Sequence, residues 1–434
     1  MSPLKSGSHL LEVGELARVE GEGAMRVVVL DGEVTLVELR ITEPPRYFEG
    51  FLRGRAWTET PDLTSRICGI CPVAYQLTAV QAIEDACAVA LPDELRRLRR
   101  LLYCGEWIES HALHIYLLHA PDFLGYDGAI EMAADHRGLV ERGLRLKKAG
   151  NAILTTIGGR AIHPVNARVG GFHQLPTPAD LRRLRPDLER GRDDALATVA
   201  LVGGFDFPDF EQPHEYLCLR GPDGYPLESG SVVTSSGGAF AVQEFTEHVH
   251  EEHVARSHAL HSRLDGDTVY AVGPLARYTL CSGQLSPLAL EAAREAGLGA
   301  VCRNPFRSIV VRAVELVYAF DEALRLIDSW QGAPVAAVPV RPRFGEGHGA
   351  TEAPRGLLYH RYRIDTDGTV LDARIIPPTA QNQASIEADL RAFVQPRLHL
   401  SHAELTHDCE QAIRNYDPCI SCATHFLDLR LDTR

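Results

Sequence analysis

Residues 66–91, RICGICPVAYQLTAVQAIEDACAVAL, set a Cys-x-x-Cys pair, Cys68 and Cys71, just ahead of apolar residues that recur at helical spacing from Pro72 to Leu91. A second helical pattern, with Leu95, Leu98 and Leu102 on one stripe, runs from Asp93 to about Ala120, and Pro92 separates the two. At the far end of the chain DPCISCATH, residues 417–425, carries Cys419, Cys422 and then His425. The two pairs are 348 positions apart. A local zinc knuckle gathers its pairs within a few tens of residues, and a thioredoxin-like redox site needs only one pair. Four thiolates drawn from both ends of a long chain instead suggest a buried soft-metal centre between domains, holding nickel, iron, copper(I) or zinc. Either pair taken alone reads equally as structural zinc or as small buried hydrophobes.

Working outward, AMRVVVLDGEVTLVELRI (24–41) reads as two strands about Asp31-Gly32, a type I′ turn signal. Further helical patterns cover about 127–153, 178–202, 242–263, 286–297 and 306–330, joined by Gly/Pro-rich stretches. A second hairpin is expected in LLYHRYRIDTDGTVLDARII about Asp367-Gly368, after a Pro-rich segment, VAAVPVRPRFGEGHGATEAPRG, read as a wrapping loop. The expected fold class is α+β, a central helical body with small sheet regions near both ends. Its divisions would be a β-rich segment over 1–60, a mainly helical body over 61–335 carrying the first cysteine pair, and a hairpin region with a helix over 336–434 carrying the second.

The 434 residues are 45% hydrophobic and 24% charged, an ordinary globular composition that excludes collagen, coiled-coil and disordered classes. Forty-four basic against fifty-eight acidic residues give a formal charge of −14, with no footprint for nucleic acid or an anionic membrane. No signal-peptide core is present and no apolar run approaches the roughly 18 residues that span a bilayer, so the chain is expected in the cytoplasm. Ten cysteines are too few for a disulfide scaffold and suit a reducing compartment. The His-dense EHVHEEHVARSHALH (247–261), with His248, His250, His253, His258 and His261, lacks the i, i+4 pair of a zinc-protease helix and is read as a surface or partner-facing helix. His111 and His114 are read as packing or hydrogen-bonding residues.

The two cysteine motifs resemble the paired signatures of the large, catalytic subunit of nickel-iron hydrogenases, and the resemblance covers essentially the whole chain. RVEGEG, with Glu20, is similar to that family's amino-terminal glutamate motif. RYFEGFLRGR, with Glu49 nineteen positions before Cys68, resembles its magnesium-binding segment. HAPDF places Asp122, and TEAPRG places Pro354 and Arg355, as in the family. The resemblance implies that Cys68 and Cys419 bind nickel terminally. Cys71 and Cys422 would then bridge it to an iron carrying carbon monoxide and cyanide. Hydrogen would be split heterolytically, its proton taken by a terminal thiolate or Arg355 and relayed by Glu20. Arg355 would hydrogen-bond the diatomic ligands or the substrate position, oriented by charge-assisted pairs with Asp122 and Asp417. Thr379, in IIPPTAQN, would donate to a cyanide. Glu49 and His425, with waters and a backbone carbonyl from 374–376, would hold magnesium.

Two departures stand out. Many relatives have histidine four places after the second cysteine, where this chain has Tyr75, which keeps a hydrogen-bonding hydroxyl but no imidazole chemistry. Nine residues, FLDLRLDTR, follow His425, and in many family members a dedicated protease removes such a tail during maturation. The resemblance is strongest to the cytoplasmic, bidirectional branch. With no G-x-G-x-x-G and no ferredoxin-like spacing among the other six cysteines, iron-sulfur clusters belong on a small partner subunit. Flavin or NAD(P) sites would belong on further diaphorase-type subunits. The competing readings are a hydrogen-sensing or non-catalytic relative, and an electron-transfer scaffold of the respiratory complex I type, which normally lacks these cysteines.

Overall fold

The computed structural model describes residues 8–222 and 224–424. His425 and the tail beyond it lie outside the described residues.

Three antiparallel strands open the chain: β1 (Ser8–Val13), β2 (Gly23–Leu30) and β3 (Glu33–Ile41). The Asp31-Gly32 turn joins β2 to β3 with both residues at positive φ, 49° and 83°, as its sequence predicts. Met25, Val27 and Val29 alternate inward and share a core with the helices α7 (Pro378–Val394) and α8 (His402–Arg414) from the other end of the chain. Side chains of this carboxy-terminal region also serve β3 directly, Glu387 and Gln395 accepting from the N–H groups of Leu39 and Val34 at 2.9 and 2.8 Å.

The central body is helical. α1 (Pro72–Cys87) stops four residues short of the expected end, because Ala88 turns left-handed and its N–H and that of Val89 cap the last carbonyls. α2 (Asp93–Leu113) runs into a π-helical turn, His114–His119, before a short helix at Ala120–Leu124. α3 (Ala129–Gly158) is kinked at His136. The pattern over 178–202 divides into Pro178–Arg182 and α4 (Arg185–Gly203). α5 (Pro274–Cys281), a helix at Pro287–Glu295 and α6 (Ser308–Ser329) complete the body. α2 packs on α3 and α6, and α6 packs on α4. Among the described residues no helix is long and apolar enough to cross a membrane.

Two expectations are corrected. The stretch 242–263 is not a helix: after a short helical turn, β4 (Val249–His253) and β5 (Leu260–Leu264) pair as an antiparallel hairpin. Val249, Leu260 and Leu264 are buried there, and Glu251 is drawn inward by Arg374 at 2.7 Å. The second concerns the wrapping loop, whose latter half is a strand, β6 (Gly345–Ala353), in a sheet with β7 (Gly356–Ile364) and β8 (Val370–Ile376). α1 lies so close over β6 that a Cβ on Gly347 would stand 2.1 Å from the Ala82 carbonyl oxygen, and one on Gly349 2.4 Å from that of Thr78. The glycines that look like loop residues are what allow the helix to touch the strand. A hydroxyl pair, Thr78 with Thr351 at 2.6 Å, pins the crossing. The β6–β7 turn thereby carries Pro354 and Arg355 to the amino end of α1, beside Cys71.

Candidate metal centre

Cys68 is extended after a 3-10 turn (Ser65–Ile67), and Cys71 is the N-cap of α1, with Pro72 in the first turn. The loop folds back on itself, the Cys68 sulfur accepting from the N–H groups of Ile70 and Cys71, both at 3.3 Å. Glu106, buried on α2, accepts from Val73 and Ala74 at 2.6 and 3.1 Å and closes the start of α1. Burial pushes its carboxyl well up against the pull of those donors.

The second pair follows α8 through Asp417, which is left-handed at φ 52°, and Pro418. Glu20 is held against this segment: its carbonyl accepts from Ile420 at 2.9 Å, and its Oε2 accepts from the Ser421 N–H at 3.0 Å and from the Cys419 thiol at 3.1 Å. Burial first, then the Cys68 charge, raises the Glu20 pKa. Gly21, at φ 88°, makes the approach possible, since a Cβ there would meet Glu43 Oε2 at 2.5 Å and Ile420 Cβ at 2.7 Å. Gly21→Ala is therefore expected to cost roughly 1–3 kcal/mol through overpacking and positive-φ strain, read as a lowered thermal midpoint.

All four sulfurs lie within 4.8 Å of one another and are buried. Cys68 faces Cys419 and Cys71 faces Cys422, each at 3.5 Å, and Cys419 is 2.6 Å from Cys422. The three other thiols hold Cys68 well below its ordinary pKa, whereas burial pushes Cys419 and Cys422 well up. Arg355 supplies fixed positive charge. Its Nε donates to the Asp417 carbonyl at 2.8 Å and its Nη2 to Asp417 Oδ1 at 3.2 Å, while its buried Nη1 has no partner. Burial works to lower the Arg355 pKa, but Asp417 and the thiols outweigh it and hold the group well above its ordinary value. Thr379 accepts from the Cys419 N–H at 3.0 Å, which leaves its own hydroxyl proton for another acceptor.

Asp122 does not orient Arg355. It accepts from Arg414 at 2.7 and 2.8 Å and from Arg18 at 2.5 Å, and these charges hold it below the usual carboxylate range against burial. Arg18 leads into Glu20 and Arg414 leads into the second cysteine segment, so Asp122 ties the two together behind the site. Arg355 and Pro354 are held from another side: Arg277 donates to the Ala353 and Pro354 carbonyls, pairs with Glu315 and Glu352, and stacks on Trp107 at 4.4 Å.

Glu49, buried, accepts from the Ile375 N–H at 2.8 Å, which places it beside the 374–376 carbonyls. Glu251 approaches the same region, its pKa pushed to about 7 by burial and by the Glu49 charge against the pull of Arg374. Tyr75 donates to the Cys422 carbonyl at 3.4 Å and lies 5.7 Å, ring to ring, from His360. His111 and His114 are buried, His111 beside Glu315 at 2.9 Å and His114 on the Arg414 carbonyl at 2.8 Å.

Sequence reasoning missed several supports. Arg46 donates to the Ile67 carbonyl at 2.7 Å and to that of Ser421, bridging the two cysteine segments. Its signal lay in RYFEG, where only Glu49 was considered. Glu106 and Arg277 carry no local signal, because their partners are distant in sequence.

Four convergent buried thiols beside a guanidinium with one unpartnered nitrogen define a thiolate metal centre, a donor set that fits soft metals such as nickel and iron. The nickel-dependent hydrogenase family profile matches residues 46–140 and 291–425. The chain is 34% identical to sulfhydrogenase 1 subunit alpha of Pyrococcus furiosus over 96% of its own length and 98% of that protein's. It is 29% identical to NAD-reducing hydrogenase HoxS subunit beta of Cupriavidus necator, over 97% of this chain and 95% of that protein. Among solved structures, an NAD+-reducing [NiFe]-hydrogenase in the H2-reduced state superposes with TM-score 0.87 at 27% identity, covering 96% of this chain and 99% of that one. The chain belongs to the nickel-dependent hydrogenase family, as the large, catalytic subunit of a nickel-iron hydrogenase.

Proposed function

We propose that Cys68 and Cys419 bind nickel terminally and that Cys71 and Cys422 bridge it to an iron carrying carbon monoxide and cyanide. The 3.5 Å approach of each first-motif sulfur to its second-motif counterpart supports this division. When bound, the centre supplies the redox change and the electrophile for reversible heterolytic cleavage of hydrogen.

The residues of the chain manage the proton and the field. The Cys419 sulfur lies 3.1 Å from Glu20 Oε2, within reach of direct proton transfer, and burial raises the carboxyl's pKa. Glu20 is the outward relay. Arg355 holds charge with the unpartnered Nη1 available to the substrate position or a diatomic ligand, and Asp417 fixes its plane. Pro354 shapes the same turn, and Thr379 donates its hydroxyl proton to a cyanide. Glu49, with His425, binds magnesium.

Electrons leave to a small iron-sulfur subunit and from there to diaphorase-type subunits carrying flavin and NAD(P), in the cytoplasm. The likeness to the NAD-reducing relatives supports this acceptor. Maturation proteins load the centre.

The distance between Cys419 and Glu20 carries the proton assignment. Glu20→Gln removes the titratable oxygen and keeps the shape, so nickel and iron should stay bound while hydrogen–deuterium exchange slows by about 100-fold or more. Unchanged exchange in a fully loaded variant would overturn the relay.

A further inference from the structure

Behind Asp417, away from the thiols, a small cavity opens between the start of α5, the start of α6 and the Asn415–Tyr416 segment. It is lined by Arg312, Asn415, Ser308, Leu275 and the rings of Tyr216 and Tyr416. Arg312 is 1% exposed, and among the described residues no carboxylate lies within ion-pair distance of it. Its Nη1 donates to the Asn415 carbonyl at 2.9 Å, and its Nε is buried without a partner. The neighbouring acids are committed elsewhere, Asp417 to Arg355 and Glu315 to Arg277. Asn415 is 2% exposed, and both polar atoms of its side chain lack partners, although its carbonyl serves Arg312 and Ser308. The Tyr416 hydroxyl is likewise committed, donating to Asp389 at 2.7 Å.

A buried guanidinium with an open donor and no counter-charge is costly, and so is an orphaned buried carboxamide. A water in the cavity would meet the hydrogen bonds and leave the charge uncompensated. An anion would compensate the charge and meet the two open donors, taking the Arg312 Nε–H and the Asn415 amide N–H. Burial, with Arg277 and Arg355 adding repulsion, lowers the Arg312 pKa to about 10 despite Asp417 and Glu315, as befits a cation lacking a contact partner. The cavity measures about 20 Å³, enough for one small occupant.

We propose that this cavity is a binding site for one compact monovalent anion of halide size, held by Arg312 and Asn415. Such an ion would brace the Asn415–Tyr416 segment that leads to Asp417 and Cys419, and the site is independent of the metal roles proposed above. Bromide is the probe, used on the assembled complex. Crystals grown in sodium bromide should show an anomalous peak between Arg312 and Asn415. In solution, bromide added at constant ionic strength against sodium glutamate should raise the thermal midpoint saturably, by a few degrees at about 100 times its dissociation constant. Asn415→Leu fills the cavity and keeps Arg312, and should abolish the rise; Arg312→Met should do the same. If Arg312→Met does not fold, the wild-type map, the titration and Asn415→Leu still decide. A cavity holding only water in bromide crystals, or a bromide response equal in the wild type and Asn415→Leu, would overturn the proposal. So would a peak in the crystal without a saturable response in solution.

Discussion

Cys419→Ser, purified with its partner subunits from the native host, is expected to retain nickel only at background level and to lose hydrogen uptake by more than about 100-fold. Altering a residue outside the ligand shell already costs 10–100-fold in metal affinity or activity, and removing a thiolate ligand should cost more. The sulfur is buried, within 4.8 Å of three others, and a serine hydroxyl there is a hard, weakly acidic donor with no match for a soft metal. Cys68→Ser should behave alike. Cys302→Ser, at a buried cysteine outside the four-thiol cluster, should leave nickel unchanged, which separates ligand loss from any general effect of replacing a thiol. Nickel and iron analysis of the three proteins checks the prediction.

The second large effect concerns Asp122. Replacing it with alanine leaves the Arg414 guanidinium, 1% exposed, without its bidentate partner and frees Arg18. Breaking a buried pair in this way costs about 3–5 kcal/mol. The loss should appear as a lower denaturation midpoint. Because the folded pKa of Asp122 lies below its unfolded value, its contribution is complete above about pH 4 and fades as pH falls through the folded value. The stability gap between wild type and Asp122→Ala should therefore be constant at neutral pH and narrow on acidification below about pH 4. A gap that does not change with acid would place the cost in lost packing instead.

Sequence and structure part company where contacts are long-range. The Asp31-Gly32 hairpin and the helices α1, α2 and α6 were legible, because turn chemistry and apolar period are local properties. β6 was not, since Gly345, Gly347 and Gly349 carry the composition of a loop and owe their place to the helix lying on them. The His-rich hairpin was misread as a helix because its exposed histidines and glutamates hide the few residues, Val249, Leu260 and Leu264, that face the core. At the site, the four cysteines are readable from their spacing and Glu20 from the family resemblance of RVEGEG, and the structure brings them together. Asp122 was found but given the wrong arginine, since nothing in HAPDF tells Arg355 from Arg414. Arg46 and Glu106, which hold the cysteine segments, act through backbone carbonyls and N–H groups, and such partners leave no mark in a sequence.

The most direct test is infrared spectroscopy with parallel nickel and iron analysis on the complex purified from its native host. About one nickel per chain, with iron showing carbon monoxide and cyanide stretching bands, is the predicted result. Zinc alone, without those bands in fully matured protein, would contradict the account.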